Sequence, residues 1–236
     1  MHRSWSLIFE RLLDLSFDRH YTPPSVNPTS FVKKSEGQVD MDSNANPGKN
    51  FIEIMGQRRS FPRLEEPAPD KELLDNIFLS SLRVPDHMHL RPWRFLIIGG
   101  DDRNHLGDLF VKDCLQKDPN AGEETCESAR KKALRAPLIV VGIAHYTDHP
   151  KVPEIEQALA TGCVLNNIGL AIYSCGYGSV WRTGPYAVSS SVCEGLGLNS
   201  NEEILGFLYI GTPMKADRPL KAIKKDDFFK YWPAKV

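Results

Sequence analysis

The sequence lacks several things that would have given it a quick reading. No apolar run reaches the roughly 18–20 residues that a membrane-spanning helix requires. Charge of one sign is absent: 29 Lys and Arg stand against 30 Asp and Glu, a formal net charge of −1. That balance excludes a polybasic nucleic-acid or membrane-surface binder. Cysteine is sparse, with Cys114, Cys126, Cys163, Cys175 and Cys193 only. An odd count with no CxxC makes neither a disulfide framework nor a zinc ribbon. It fits reduced thiols in a cytoplasmic protein. No strand is followed by GxGxxG, and Gly176-Tyr177-Gly178 is only a GxG, so a Rossmann site has no support. Neither a phosphate-binding Walker sequence nor a GxSxG elbow is present. No internal repeat occurs.

What is there is a chain of 236 residues, 41% apolar and 25% charged. That length suits one or two domains, and folding at this size buries roughly 70–75% of the unfolded surface. The first 49 residues read as an extension of different character. Trp5, Ile8, Phe9, Leu12 and Leu13 have helical spacing. Thr22 to Asn50 then contains no Leu or Ile but has Pro23, Pro24, Pro28 and Pro47. Such a composition does not offset its ordering entropy, so residues 1–49 are expected to be largely disordered. Arg3, Arg11 and Arg19 suggest a transit peptide, while Glu10, Asp14 and Asp18 argue against one. A second reading makes Met41 the true start.

From residue 50 to 236 the pattern is that of one domain. Asn50 with Glu53 is a capping pair for a helix through Phe51–Gln57. Asp70 caps a second, with Leu73, Leu74, Ile77, Phe78 and Leu82 on one face. Strands are expected at Trp93–Ile98, Pro137–Ala144, Gly176–Trp181 and Glu203–Ile210. Between them lie a helix capped by Asp101 or Asp102, a polar helix near Glu123–Leu134, and Glu154–Tyr173, which is apolar nearly all round. A helix without a solvated face belongs inside a domain or an oligomer interface. Helices separating most strands predict an α/β-type sandwich.

Three clusters carry chemistry. Arg58-Arg59-Ser60 offers two guanidinium forks and a hydroxyl, which suit a phosphate dianion; the same residues also suit a helix C-terminus. Trp181-Arg182-Thr183-Gly184 ends a strand, where folds of this kind build ligand crevices. Asp86-His87 leads through Arg91-Pro92-Trp93 into another strand. His87 and His89, or His145 and His149 with Asp148, could begin a metal site, but no third-ligand spacing accompanies them. No metal is assigned.

The order of short motifs says more than any one of them. Arg58-Arg59-Ser60 is followed by Glu66-Pro67-Ala68-Pro69 and Arg83-Val84-Pro85-Asp86-His87. Arg91-Pro92-Trp93-Arg94-Phe95 and Arg135-Ala136-Pro137-Leu138-Ile139 come next. Lys151-Val152-Pro153 with Glu156-Gln157, Trp181-Arg182-Thr183-Gly184, and Gly206 through Pro213 complete the set. In this order they resemble the nitroreductase family of flavoproteins, most closely its short bacterial NAD(P)H nitroreductase form. The resemblance spans about Phe51 to Pro213.

The resemblance implies an α+β sandwich with a central mixed sheet flanked by helices. It implies a homodimer with FMN at the subunit interface. The implied activity is an FMN-dependent oxidoreductase that passes hydride from NAD(P)H through bound flavin to a nitroaromatic, quinone or similar acceptor. Flavin carries that chemistry, so no catalytic side chain is assigned. Arg58, Arg59 and Ser60 match phosphate and ribityl contacts. Arg83 and His87 match positions that reach the flavin from the other subunit, and Trp181, Arg182 and Thr183 match a segment lining it. Two departures stand out. Pro62 occupies a position that is basic in many members, and His89-Leu90-Arg91-Pro92-Trp93 replaces Asn-x-Gln-Pro-Trp. Rival readings are an FMN storage or sensing protein, another flavin chemistry such as desaturation or dehalogenation, and a small metallohydrolase built on Asp86, His87 and His89.

Overall fold

A computed structural model describes residues 47–214 and 219–232. The helix expected near Trp5 and residues 1–46 of the expected extension lie outside the described residues.

Helix α1 is Pro47–Gln57. It begins before the expected Phe51, with proline at its first position. There the missing N–H costs nothing and the fixed φ is already helical. Asn50 is therefore inside the helix and not its cap. Helix α2, Lys71–Ser81, starts as expected: the Asp70 carboxylate accepts from the Leu73 N–H at 2.8 Å. Helix α3 spans Asp102–Lys117, with Asp101 at its N-cap position but without a side-chain cap bond. Helix α4 is Glu123–Arg130, helix α5 is Glu154–Ser174 and helix α6 is Ser190–Gly195.

The strands are β1 (Leu64–Glu65), β2 (Trp93–Gly99), β3 (Leu138–His145), β4 (Gly178–Arg182) and β5 (Glu202–Pro213). The order runs β1-β5-β3-β2, and β4 also pairs with β5. Every pairing among the described residues is antiparallel. The mixed sheet expected from the sequence is therefore not what these strands make. The helices between strands are long connections that return the chain antiparallel to a neighbour distant in sequence, not parallel crossovers. The two-residue β1 was missed because so short an element carries no periodicity.

Alternation divides the sheet into two apolar faces. Ile139, Val141, Ile143, Phe207 and Tyr209 pack with Leu106, Phe110 and Val192 of α3 and α6. Leu138, Val140, Leu208 and Ile210 pack with Ile77 of α2 and with Val164, Leu165, Ile168 and Ile172 of α5. Strand β3 is covered on both faces, which is why it reads as a continuous apolar run. Each such side chain contributes about 1.5–3 kcal/mol.

Helix α5 is not buried all round. Its inner face is sealed, yet Ile155 and Leu159 are 63% and 62% exposed, with exposed Cys163 further along the same side. On α1, Phe51, Ile52 and Met55 are also more than half exposed.

Candidate functional site

The first cluster is placed by strand β4. The chain leaves α1 at Gln57, and Arg59 Nε donates to the Gln57 carbonyl at 3.2 Å. Four residues after Gln57, the Phe61 N–H donates to the Ser179 carbonyl of β4 at 2.9 Å. Close approach here requires Gly178: a Cβ there would meet Leu64 at 2.8 Å, Pro213 at 2.9 Å and Phe61 at 3.0 Å. Arg58-Arg59-Ser60 thus lies beside the strand that carries Trp181 and Arg182. Arg58 and Ser60 are exposed.

Arg182 and Trp181 leave opposite faces of β4. Arg182 sets its guanidinium 5.7 Å from the centre of the Tyr209 ring, and its Nη2 donates to the Pro62 carbonyl at 3.5 Å. Its Nε is buried with no hydrogen-bond partner. A buried donor left unpaired in a guanidinium is costly, so this atom marks a place built for an acceptor. Burial pushes the Tyr209 phenol up to about 12, against the opposing pull of Arg182 and Arg135. Two positive charges therefore converge on this corner. Trp181 folds over Gly206 and donates from Nε1 to the Leu205 carbonyl at 3.1 Å. A Cβ on Gly206 would collide with the indole, and the far edge of the ring is 3.7 Å from where one would stand on Gly162. The indole remains 39% exposed. Thr183 is exposed, and Gly184, at φ 89°, turns the chain away.

Arg83 and His87 are held by other elements. Both are exposed on the loop between α2 and β2. This loop contains a short 3-10 turn, His87–His89, and three left-handed non-glycine residues: Met88 at φ 61°, His89 at 54° and Arg91 at 49°. The Asp86 carboxylate accepts from the Arg91 N–H at 2.9 Å. His87 Nδ1 lies 2.8 Å from Glu156 Oε2 at the start of α5. The structure therefore brings Arg58, Arg59, Ser60, Trp181 and Arg182 to one region and sets Arg83 and His87 on a separate, solvent-facing loop.

Below that loop lies a network the sequence reading did not find. Arg94 grips Glu202 with two bonds, Nε to Oε1 at 2.6 Å and Nη2 to Oε2 at 2.7 Å. His145 Nδ1 is 3.2 Å from the same carboxylate, whose side chain is 1% exposed. The Arg94 hydrogen bonds hold Glu202 down to about 2, against the opposing effect of burial. Tyr146 donates to Glu203 at 2.6 Å; burial first and this bond second push its phenol up. The one sequence signal was Arg94 beside Trp93; nothing marked Glu202 as its partner. Of the histidines weighed as ligands, His87 and His145 face carboxylates, and His149 Nδ1 accepts from the Lys151 N–H at 3.2 Å. Among the described residues no group of three His, Cys, Asp or Glu could hold a metal ion. Nor is any described helix long and apolar enough to cross a membrane.

Comparison with known proteins adds an independent view. The Nitroreductase family model matches residues 55–212. The Escherichia coli (strain K12) protein named "Putative NAD(P)H nitroreductase YdjA" is 34% identical over 182 residues, covering 77% of this chain and 98% of that protein. A Haemophilus influenzae protein of the same general name is 32% identical over 183 residues, covering 76% and 98%. A crystal structure of a nitroreductase-like family protein from Bacillus cereus superposes with a TM-score of 0.68 at 23% identity, over 82% of this chain and all of that one. The FMN and NADPH-dependent nitroreductase NfnB from a Sphigopyxis strain superposes with a TM-score of 0.62 at 16% identity, covering 77% and 98%.

Proposed function

Because the chain belongs to the nitroreductase family of oxidoreductases, we propose that it binds FMN and passes hydride from NAD(P)H to a nitroaromatic, quinone or similar small acceptor. The observation that carries this reading is the orphaned Arg182 Nε, on the strand beside which the chain runs on from Arg58-Arg59-Ser60. A half-buried guanidinium with a spare donor, on the same strand edge as two further guanidinium groups and a hydroxyl, fits the phosphate and polar chain of FMN. No glycine-rich cradle for a pyrophosphate accompanies it, which favours FMN over FAD.

When bound, FMN would supply the hydride-transfer chemistry. The protein's part is binding and orientation. Arg58 and Arg59 neutralise the phosphate, and Ser60 donates to it. Trp181 offers an aromatic wall, fixed by its bond to Leu205 and by the space that Gly206 leaves. Thr183 adds a hydroxyl at the strand end. Arg83 is a permanent cation on a loop facing outward, and His87 is a second polar group there. Both would reach a neighbouring subunit's flavin and not their own.

That arrangement calls for a homodimer. The exposed apolar sides of α1 and α5 supply a face for it, since a run such as Ile155, Leu159 and Cys163 is costly to leave in water. The function resides in residues 50–236, with residues 1–49 dispensable and the protein cytoplasmic.

The test is anaerobic titration of purified protein with NAD(P)H. The expected result is a yellow dimer with stoichiometric FMN whose colour is bleached by NADH or NADPH and restored by a quinone. Protein that takes up no FMN overturns the reading. Protein that holds FMN which neither nucleotide reduces is a storage or sensing protein instead.

A further inference from the structure

We propose that Glu156 is a positioning residue: it fixes the tautomer and the aim of His87, so that Nε2 is the atom offered to the cofactor. This deepens the FMN reading and rests on it for the identity of what His87 faces.

The geometry starts with the carboxylate. Glu156 lies in the first turn of α5, where its charge is favoured by the helix N-terminus. Its Oε2 stands 2.8 Å from His87 Nδ1, across 69 residues of sequence. An ionised carboxylate can only accept, so Nδ1 must carry the hydrogen. Neutral His87 is then the Nδ1–H tautomer with a lone pair at Nε2, and protonated His87 donates from Nε2. Among the described residues Nε2 has no hydrogen-bond partner, so this is the ring atom left for a ligand.

The loop around His87 is held to match. Left-handed non-glycine residues are strained and persist only where their surroundings over-determine them. Met88, His89 and Arg91 make three within four positions. Asp86 accepts from the His89 N–H through its carbonyl at 3.1 Å and from the Arg91 N–H through its side chain at 2.9 Å. At the far end, the Pro92 carbonyl accepts from Thr161 Oγ1 at 2.7 Å and from the His145 N–H at 3.0 Å. Glu156 and Thr161 are five residues apart on α5, so one helix clamps both ends of the strained segment.

Stability does not account for the pair. The His87 and Glu156 side chains are 50% and 44% exposed, and half-exposed ion pairs contribute little to folding. A strained loop fastened by a weak bond gains direction, not stability. Strain gathered around one imidazole is the signature of a preorganised contact.

The first experiment needs no flavin. Long-range nitrogen-15 spectra of histidine-labelled protein, taken near pH 9 where imidazole is neutral, report which ring nitrogen is protonated. His87→Ala assigns the signal. Wild type is expected to show Nδ1–H, and Glu156→Ala to revert to the Nε2–H form that free imidazole prefers. An Nε2–H signal in wild type, or identical signals in both, overturns the proposal.

The second experiment is a double-mutant cycle on FMN affinity, read by flavin fluorescence quenching. Glu156→Ala should weaken binding about three- to tenfold, the range of one hydrogen bond, and should add nothing in the His87→Ala background. Equal weakening in both backgrounds would show that Glu156 supports the fold alone and would overturn the positioning role. Failure of wild type to bind FMN at all would instead strike the function, leaving the tautomer result intact.

Discussion

The two parts of the candidate site are built by opposite means. The Arg58–Pro62 segment and Trp181-Arg182 are fastened to strand β4 and, through it, to β5, where glycine is required because there is no room for a Cβ at Gly178 or Gly206. The Arg83–Arg91 loop sits in solvent and does the reverse: it places side-chain-bearing residues at Met88, His89 and Arg91, where glycine would be easier. One part is made exact by close packing, the other by a few hydrogen bonds to α5. The packed part is suited to setting how tightly a cofactor is held. The strung part is suited to tuning what it does, since a loop can alter its aim without disturbing the core.

Substitutions can break this contrast. The largest effect is expected at Gly206→Val. The new side chain would displace the Trp181 indole and its bond to Leu205, costing above about 3 kcal/mol through overpacking and a lost hydrogen bond. Thermal unfolding checks it, and a loss under 1 kcal/mol would show that the indole moves freely.

Next is Glu202→Gln, which removes the carboxylate beneath the loop and leaves Arg94 with the Gly197 carbonyl but without its counter-charge, at about 3 kcal/mol near neutral pH. The folded-state value of about 2 lies below the ordinary carboxylate range. The stabilisation is therefore complete above about pH 5 and is lost as pH falls towards 2. Urea midpoints at pH 7 and pH 3 should converge for wild type and variant; a constant gap would remove Glu202 from the acid response.

Third, Arg58→Ala should weaken FMN binding by about 1.5–3 kcal/mol, the worth of a charge-assisted bond, with little change in melting of the flavin-free protein. Unaltered affinity would take the phosphate away from this cluster.

The smallest effect is expected at Met88→Gly. Glycine relieves the left-handed strain but frees the unfolded chain, so stability should shift by under about 1 kcal/mol. A loss of several kcal/mol would mean that the Met88 side chain, not the backbone, holds the loop.

Much of this was legible because it is local. The Asp70 cap needs only three residues of context, and the apolar run of β3 announces a strand covered on both faces. The likeness to nitroreductases was legible from motif order, and the fold bears it out. What was hidden depends on partners far apart. Arg182 and Pro62 are 120 residues distant and meet through a backbone carbonyl, which leaves no trace in residue type. Glu156 and His87 were each visible within a motif, but their pairing across 69 residues was not. The bends at Met88, His89 and Arg91 carry no glycine to betray them. For helix α5, composition reports how apolar the helix is and not which side this chain itself covers.

The sheet order has a consequence for how the chain is made. Strand β5 is hydrogen-bonded to β1, β3 and β4 and is the last strand among the described residues. During synthesis, β1, β3 and β4 leave the ribosome before the strand that joins them exists. Until Glu202–Pro213 emerges, their apolar surfaces can close only partly, through β2 with β3. Such long-range pairing is slow and leaves strand edges open to other chains. A nascent chain halted before Glu202 should therefore be protease-sensitive and chaperone-bound, and one extended past Pro213 should not.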